Sequence, residues 1–224
     1  MSDRAPAGAS DIELASCIAR GASQLKCALE AEQVERLVAY LRLIQRWNST
    51  YNLTAIRDPA DMAVQHILDC LSAVPPLRRH RATSGLRRII DVGSGAGLPG
   101  LLFALALSNT EVVCVDSVGK KTAFITQALG VLGLRNATAV HARVEAFKGL
   151  PFDVITSRAF GSLSDLTRGT KHLLADNGEW MAMKGKPPAD EIATLGSLQV
   201  EVQPLRVPGL EAERCLVWIR PDPT

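Results

Sequence analysis

The chain has 224 residues, 47% of them hydrophobic, and a formal net charge of only +2. That length can bury one substantial core with room for a small appended unit, and so modest a charge does not by itself announce a nucleic-acid-binding protein. No run approaches the roughly 20 continuous apolar residues of a bilayer span, so a soluble cytoplasmic protein with no membrane association is expected.

Residues 1–10, MSDRAPAGAS, lack the apolar core of a signal peptide and are expected to form a disordered tail. The five cysteines, Cys17, Cys27, Cys70, Cys114 and Cys215, are odd in number and never spaced as C-x-x-C. This argues against a disulfide framework and against a metal site. Apolar residues at three- and four-residue steps predict helices over Asp11 to Leu29, interrupted by Gly21, and over Glu32 to Trp47. A third helix is predicted to open at Asp58-Pro59 and to stop before Pro75-Pro76. Residues 11–80 thus read as a helical N-terminal extension. A basic run, Arg78, Arg79, His80, Arg81, Arg87 and Arg88, reads as a linker, either solvated or functional.

Residues 81–224 change character, with short apolar runs alternating with helical stretches. Strands are predicted at Ile89 to Val92, Glu111 to Val115, Ala137 to Val140, Asp153 to Ser157, Gly178 to Lys184, Gln199 to Gln203 and Arg214 to Arg220. Helices are predicted near Gly97 to Leu107, Lys120 to Leu132, Arg143 to Phe147, Ser164 to Leu174 and Pro188 to Leu195. The expected fold class is α/β: a doubly wound, mostly parallel seven-stranded sheet with an antiparallel C-terminal hairpin at its edge.

Ligands of such sheets bind beyond the carboxyl ends of the strands. After the first strand the chain reads DVGSGAGLPG, Asp91 to Gly100. Gly93, Gly95 and Gly97 allow a tight turn and a close ligand approach, and Asp116, at the end of the second strand, is placed to accept the hydroxyls of an adenosine ribose. These features fit either a nicotinamide dinucleotide or S-adenosylmethionine. Asp91 favours the latter: a carboxylate beside a pyrophosphate is repelled, whereas a sulfonium and an ammonium are attracted to it. The donor's own carboxylate is expected to lie against the N–H groups that open the next helix.

The acceptor is narrowed by elimination. Cys114 and Cys215 lie inside predicted strands, where neither serves as the nucleophile of a pyrimidine-C5 methyltransferase. After the fourth strand stands Ser157-Arg158-Ala159-Phe160, not the Asn/Asp-Pro-Pro-aromatic of exocyclic-amine enzymes. An acceptor needing no deprotonation, such as guanine N7, fits best. Lys120, Lys121, Arg143, Arg158, Lys184 and Lys186 are expected to form a positive rim for phosphates. Phe160 is read either as stacking on the target base or as packing against the sheet edge, His66 either as a base or, since an N7 acceptor gives it no proton to take, as structural, and Trp47 and Tyr51 as docking the extension.

From Trp47 to Lys186 the chain resembles the bacterial small-subunit ribosomal RNA guanine-N7 methyltransferases, the RsmG or glucose-inhibited division protein B family. The resemblance runs through Trp47-Asn48, Asn52 to Ile56, His66-Ile67-Leu68-Asp69, Asp91 to Gly100, Asp116-Ser117, Gly119-Lys120-Lys121, Arg143-Val144-Glu145, Ser157 to Phe160 and Lys184-Gly185. It departs from the family at Cys70, Ser94 and Ala96. The resemblance implies S-adenosylmethionine as donor and one guanine in the decoding region of 16S rRNA, free or in the small ribosomal subunit, as acceptor. Combined with the residue reading, it gives Asp91, Gly93, Ser94, Gly95, Gly97, Leu98, Asp116, Val144, Glu145 and Arg158 as the donor site. Arg158, Arg143 and Lys184 are the expected catalytic residues, with no metal, in a monomer. The rival readings are an NAD-binding oxidoreductase, a non-catalytic ribosome-assembly module that binds RNA, and a small-molecule methyltransferase.

Overall fold

The computed structural model describes residues 8–85, 87–158 and 160–222, leaving the side chains of residues 81–84 aside. Most of the expected tail, and Ala159, lie outside it. Ser10, the tail's last residue, is structural: its side chain and that of Glu13 form a reciprocal capping box at the start of α1 (Asp11–Gln24). The second helix, α2 (Ala31–Tyr51), ends at Asn52, whose φ of 48° lies in the left-handed region that asparagine tolerates as a helix terminator.

The third predicted helix is built in pieces. Asp58 caps α3 (Pro59–Met62) with Pro59 in the first turn, a π-helical turn spans Ala63–Leu68, and α4 (Asp69–Ser72) follows. The helix was not expected to pass Pro75-Pro76, yet α5 (Val74–Ser84) begins there. In a first turn the N–H that proline lacks has no helical partner to lose. The expected linker is therefore largely helix, and the boundary expected after residue 80 falls within α5. Its basic residues are engaged away from the ligand edge. The Arg78 guanidinium donates to the Ala106 carbonyl, and His80 stacks on Trp218 with ring centroids 5.3 Å apart. Arg88, at the amino end of the first strand, pairs with Glu111 at 2.9 Å. The side chain of Arg81 lies outside the described residues.

Seven strands follow: β1 (Arg88–Val92), β2 (Glu111–Asp116), β3 (Ala137–His141), β4 (Phe152–Arg158), β5 (Leu174–Lys184), β6 (Gln199–Leu205) and β7 (Arg214–Arg220). They are ordered β3-β2-β1-β4-β5-β7-β6. The first five are parallel, and β7 runs antiparallel between β5 and β6, which is the expected architecture. Central strands buried on both faces read as continuous apolar runs, as Ile89, Ile90 and Val92 do. The edge strand β6 keeps polar alternation.

The connecting helices are α6 (Gly100–Ala106), α7 (Gly119–Leu132), α8 (Leu163–Thr170) and α9 (Ala189–Ala193). The helix expected over Arg143 to Phe147 is only a single 3₁₀ turn, Val144–Ala146. The extension does not stand apart from the sheet. Leu37, Leu41, Ile44 and Ile67 join Leu101, Phe103, Val112 and Phe124 in one apolar cluster. Trp47 docks it as expected, donating from Nε1 to Gln127 at 2.8 Å and meeting Phe124 edge-on. Among the described residues no helix is long and apolar enough to cross a membrane.

Candidate active site

Two cavities open at the carboxyl edge of the sheet. The first, of about 180 Å³, is lined by Val92 and Gly93 at the end of β1, Val115 to Ser117 at the end of β2, Ala142 to Glu145 after β3, and Phe160 after β4. Asp116 is its buried anion. One carboxylate oxygen accepts from the Gly95 N–H and the other from the Val118 N–H, both at 2.9 Å, while Lys121 Nζ lies 3.8 Å away. Each oxygen keeps a further lone pair for a ligand hydroxyl. Gly93, at φ 67°, shows why this corner lacks a side chain: a Cβ there would stand 3.0 Å from the Phe160 ring.

Of the expected donor-site residues, Gly93, Asp116, Val144 and Glu145 line this cavity, and Arg143, expected as catalytic, joins them. The others lie behind it or elsewhere. Gly95 holds the Asp116 carboxylate in place, and the Ser94 hydroxyl donates to the Asp91 carbonyl. Leu98 is core. A Cβ on Gly97 would overlap Leu101.

Asp91 departs most from expectation. It is wholly buried and turned toward α6, with Oδ2 accepting from the Gly100 N–H at 2.9 Å, and it does not line the cavity floor. Gly100 serves this packing, since a Cβ there would lie 2.6 Å from Cys114 Sγ and 2.9 Å from Asp91 Cβ. Asp91 Oδ1 is buried without a partner, and burial pushes the carboxyl pKa up to about 7. The helix opening is not a bare anion cradle either. The N–H groups of Gly93, Ser94, Gly95, Gly97, Leu98 and Gly100 all bond within the protein.

The second cavity, of about 430 Å³, lies between the extension and the ends of β4 and β5. It is lined by Ile56, Gln65, His66, Asp69, Arg158, Met183, Lys184, Gly185 and Arg214. Arg158 belongs here and not to the first cavity. It shares Asp69 with Arg214: Arg158 Nη1 is 3.3 Å from Oδ2 and Arg214 Nε is 3.0 Å from Oδ1. The carboxylate is almost fully buried, and two guanidinium partners offset much of the cost of burying it.

The π turn contributes to this arrangement. The Asp69 N–H donates to Val64, five residues back, and to His66, while the Gln65 carbonyl accepts from Arg158 Nη1 at 3.0 Å. Lys184 also lines this cavity, but Glu191 of α9 holds its ammonium at 2.9 Å and 3.0 Å. The expected positive rim is accordingly divided: Lys121 and Arg143 at the first cavity, Arg158 and Lys184 at the second, and Lys120 over the Tyr51 ring. Among the described residues no group of His, Cys, Asp and Glu is arranged to hold a metal ion.

Phe160, two residues beyond Arg158 on the same strand end, walls the first cavity, so β4 brings the two cavities side by side. Arg214, Gln65 and Met183 had no role in the sequence reading. The spacing of His66 and Asp69, neighbours on one helix face, was the one available signal for this side.

Residues 33–217 match the family described as GidB, rRNA small subunit methyltransferase G. The chain belongs to this family. A relative in Acidovorax ebreus (strain TPSY), a ribosomal RNA small subunit methyltransferase G, is 50% identical over 221 residues, covering 95% of this chain and 97% of its own. The fold is shared more widely. The magnesium protoporphyrin IX methyltransferase of Synechocystis PCC 6803, solved with bound SAM, aligns with a TM-score of 0.56 at 19% identity, covering 87% of this chain and 99% of its own. The N-methyltransferase NodS of Bradyrhizobium japonicum WM9, solved with S-adenosyl-L-homocysteine, aligns at 0.57 with 12% identity, covering 80% of this chain and 100% of its own. The chain therefore has the Rossmann-like methyltransferase sheet, with its helical extension packed into the same core.

Proposed function

We propose that the protein transfers the methyl group of S-adenosylmethionine to N7 of a guanine in the decoding region of 16S rRNA. The first cavity receives the donor and the second the acceptor nucleotide. The observation that carries this reading is the pairing of an Asp116 pocket with a cavity bearing Arg158 and Arg214, side by side at one sheet edge. Membership of a family named for small-subunit rRNA methylation supports the acceptor and disfavours a nicotinamide oxidoreductase.

The residues present fit the donor. Asp116 offers lone pairs for ribose hydroxyls, and the bare backbone at Gly93 admits a flat ring beside Phe160. When bound, the donor supplies an electrophilic methyl carbon on a sulfonium. In-line transfer to it depends chiefly on orientation of the acceptor. The second cavity suits an acceptor with a free lone pair. Its one histidine is held neutral, its pKa lowered to about 4 by burial and by the charge of Arg158, and both ring nitrogens face protein partners. Arg158 and Arg214 are placed to hold phosphate or base oxygens while the base enters. Both cavities are lined by residues of one chain, which supports a monomer as the working form, in the cytoplasm where small subunits reside.

The test is incubation with methyl-labelled donor and either naked 16S rRNA or small subunits lacking the modification, followed by mapping of the modified base by mass spectrometry. Label at guanine N7 is expected, with the RNA binding constant falling against log salt by about 0.7 per neutralised phosphate. Donor binding without transfer into either RNA would overturn the acceptor. Tight binding of NAD alone would overturn the donor.

A further inference from the structure

Arg158 touches one more residue in the acceptor cavity, and its chemistry fixes that residue's state. A guanidinium carries only N–H donors. His66 Nδ1, 3.4 Å from Arg158 Nη2, must therefore present its lone pair, and the ring proton resides on Nε2. At 2.9 Å from Nε2 lies Thr54 Oγ1, which accepts that proton and also the Ile56 N–H at 3.2 Å. The segment around Thr54 is itself anchored to α2: Asn48 Oδ1 accepts from the Thr54 N–H at 3.0 Å and Asn48 Nδ2 donates to the Ile56 carbonyl. A continuous directed chain thus runs from α2 through Thr54 and His66 to Arg158.

We infer that His66 is a positioning residue, locked by Thr54 in its Nε2–H tautomer so that Nδ1 accepts from Arg158 and, with the Gln65 carbonyl and Asp69, sets the guanidinium's direction in the acceptor cavity. The inference rests on Arg158 acting on the acceptor. A histidine that merely tied the 52–57 segment to its helix would need only the Thr54 bond. The π turn supports the stronger role. It carries His66 and Gln65 and leads into Asp69, all three of which contact the same guanidinium, and such turns recur at functional sites. The charged groups lining the cavity with the ring are Arg158 of β4, Arg214 of β7, Lys184 of β5 and Asp69 of α4. Glu191 of α9 pairs with Lys184, and it is burial together with the adjoining charge of Arg158 that disfavours a protonated ring.

The tautomer is testable without RNA. Ring ¹⁵N NMR of the wild-type protein should show His66 protonated at Nε2 only, at neutral pH and down to about pH 5. A charged ring or the Nδ1–H tautomer at neutral pH would overturn the inference whatever the substrate. Transfer assays then read the consequence. His66→Leu should lower kcat by about tenfold or more with the donor KM unchanged, and His66→Gln, which keeps an acceptor and a donor, should recover most of it. Equal losses in both, or losses that track the melting temperature, would mean a structural role only. Should His66→Leu fail to fold, Thr54→Val serves instead: it removes the acceptor of the ring proton and should slow transfer several-fold, whereas Thr54→Ser loses less. A Thr54→Val enzyme as fast as wild type counts against the inference. A wild-type protein inactive on every RNA counts against methyl transfer to RNA, and the tautomer then decides the role of His66 alone.

Discussion

The first cavity takes its wall from four neighbouring strand ends, whereas the second is closed by groups as distant as Asp69 and Arg214, 145 positions apart. The difference lies in how each site is stabilised. In the first cavity the carboxylate of Asp116 is held by backbone N–H groups of its own and the adjacent loop, so the cavity forms with the sheet. The second cavity exists only with the extension packed on the sheet, because Arg158 takes its partners from Gln65, His66 and Asp69. One site comes with the fold and the other depends on how two parts of the chain pack together.

If the two cavities divide donor from acceptor, mutations should separate the two affinities. The largest effect is expected of Arg158→Ala, which should reduce transfer by about 100-fold, the scale of losing orientation at a reacting centre, with donor affinity nearly unchanged. Removing one of two guanidinium groups from buried Asp69 also costs stability, so Arg158→Lys is the companion. It keeps a charge but not the fork that meets Asp69, Gln65 and His66 together, and should fold better while transferring slowly. Isothermal titration with S-adenosylhomocysteine beside a transfer assay reads both quantities. Equal loss of donor binding in Arg158→Ala would erase the division.

The reverse pattern is expected of Asp116→Ala. Losing charge-assisted hydrogen bonds to the donor's hydroxyls should weaken donor binding by about tenfold or more, and saturating donor should restore most of the transfer rate. An unchanged donor affinity would remove Asp116 from the site.

The same contrast explains what the sequence disclosed. That Gly93, Asp116 and Val144 meet at one cavity was legible because a strand, a glycine turn and a helix lie together in the chain, and the sheet's geometry says which strand ends meet. Asp91 was placed at the right turn but given the wrong direction. Sequence alone does not say whether a carboxylate at a strand end faces the ligand or the following helix, and here the Gly100 N–H and the close approach of α6 turn it inward. Arg158 was assigned to both sites, and only the packing of the extension separates them. The π turn at Ala63–Leu68 and the grip of Arg214 on Asp69 left no periodic trace, since one is a single irregular turn and the other a contact between opposite ends of the chain. Pro75-Pro76 misled because prolines that break a helix interior also fit a first turn.

Asp91 tests how separate the two regions are, with the smallest expected effect. Its pKa, about 7 in the fold, is raised first by burial; Asp116 raises it further, while the Gly100 N–H, Ser94 and the charge of Arg158 lower it. The unfolded chain holds an aspartate near its ordinary value of about 3.9. Between these values the folded state binds more protons than the unfolded one, so this residue's contribution to stability is greatest at low pH and falls as pH rises through about 4 to 7. His66, its pKa lowered to about 4, contributes a slope of opposite sign up to the ordinary histidine value of about 6.5, which is why wild type alone does not isolate either group. Asp91→Asn keeps an oxygen for the Gly100 N–H and cannot titrate. Its melting temperature relative to wild type should therefore climb between about pH 5 and pH 7.5, whatever constant cost the amide brings. A flat difference would mean that Asp91 is already ionised in the fold. Repeating the pair in an Arg158→Ala background sharpens the comparison. Without that guanidinium the carboxyl pKa rises further, so the climb should continue to higher pH at the same limiting slope of one proton, whereas two fully independent regions would leave it unchanged.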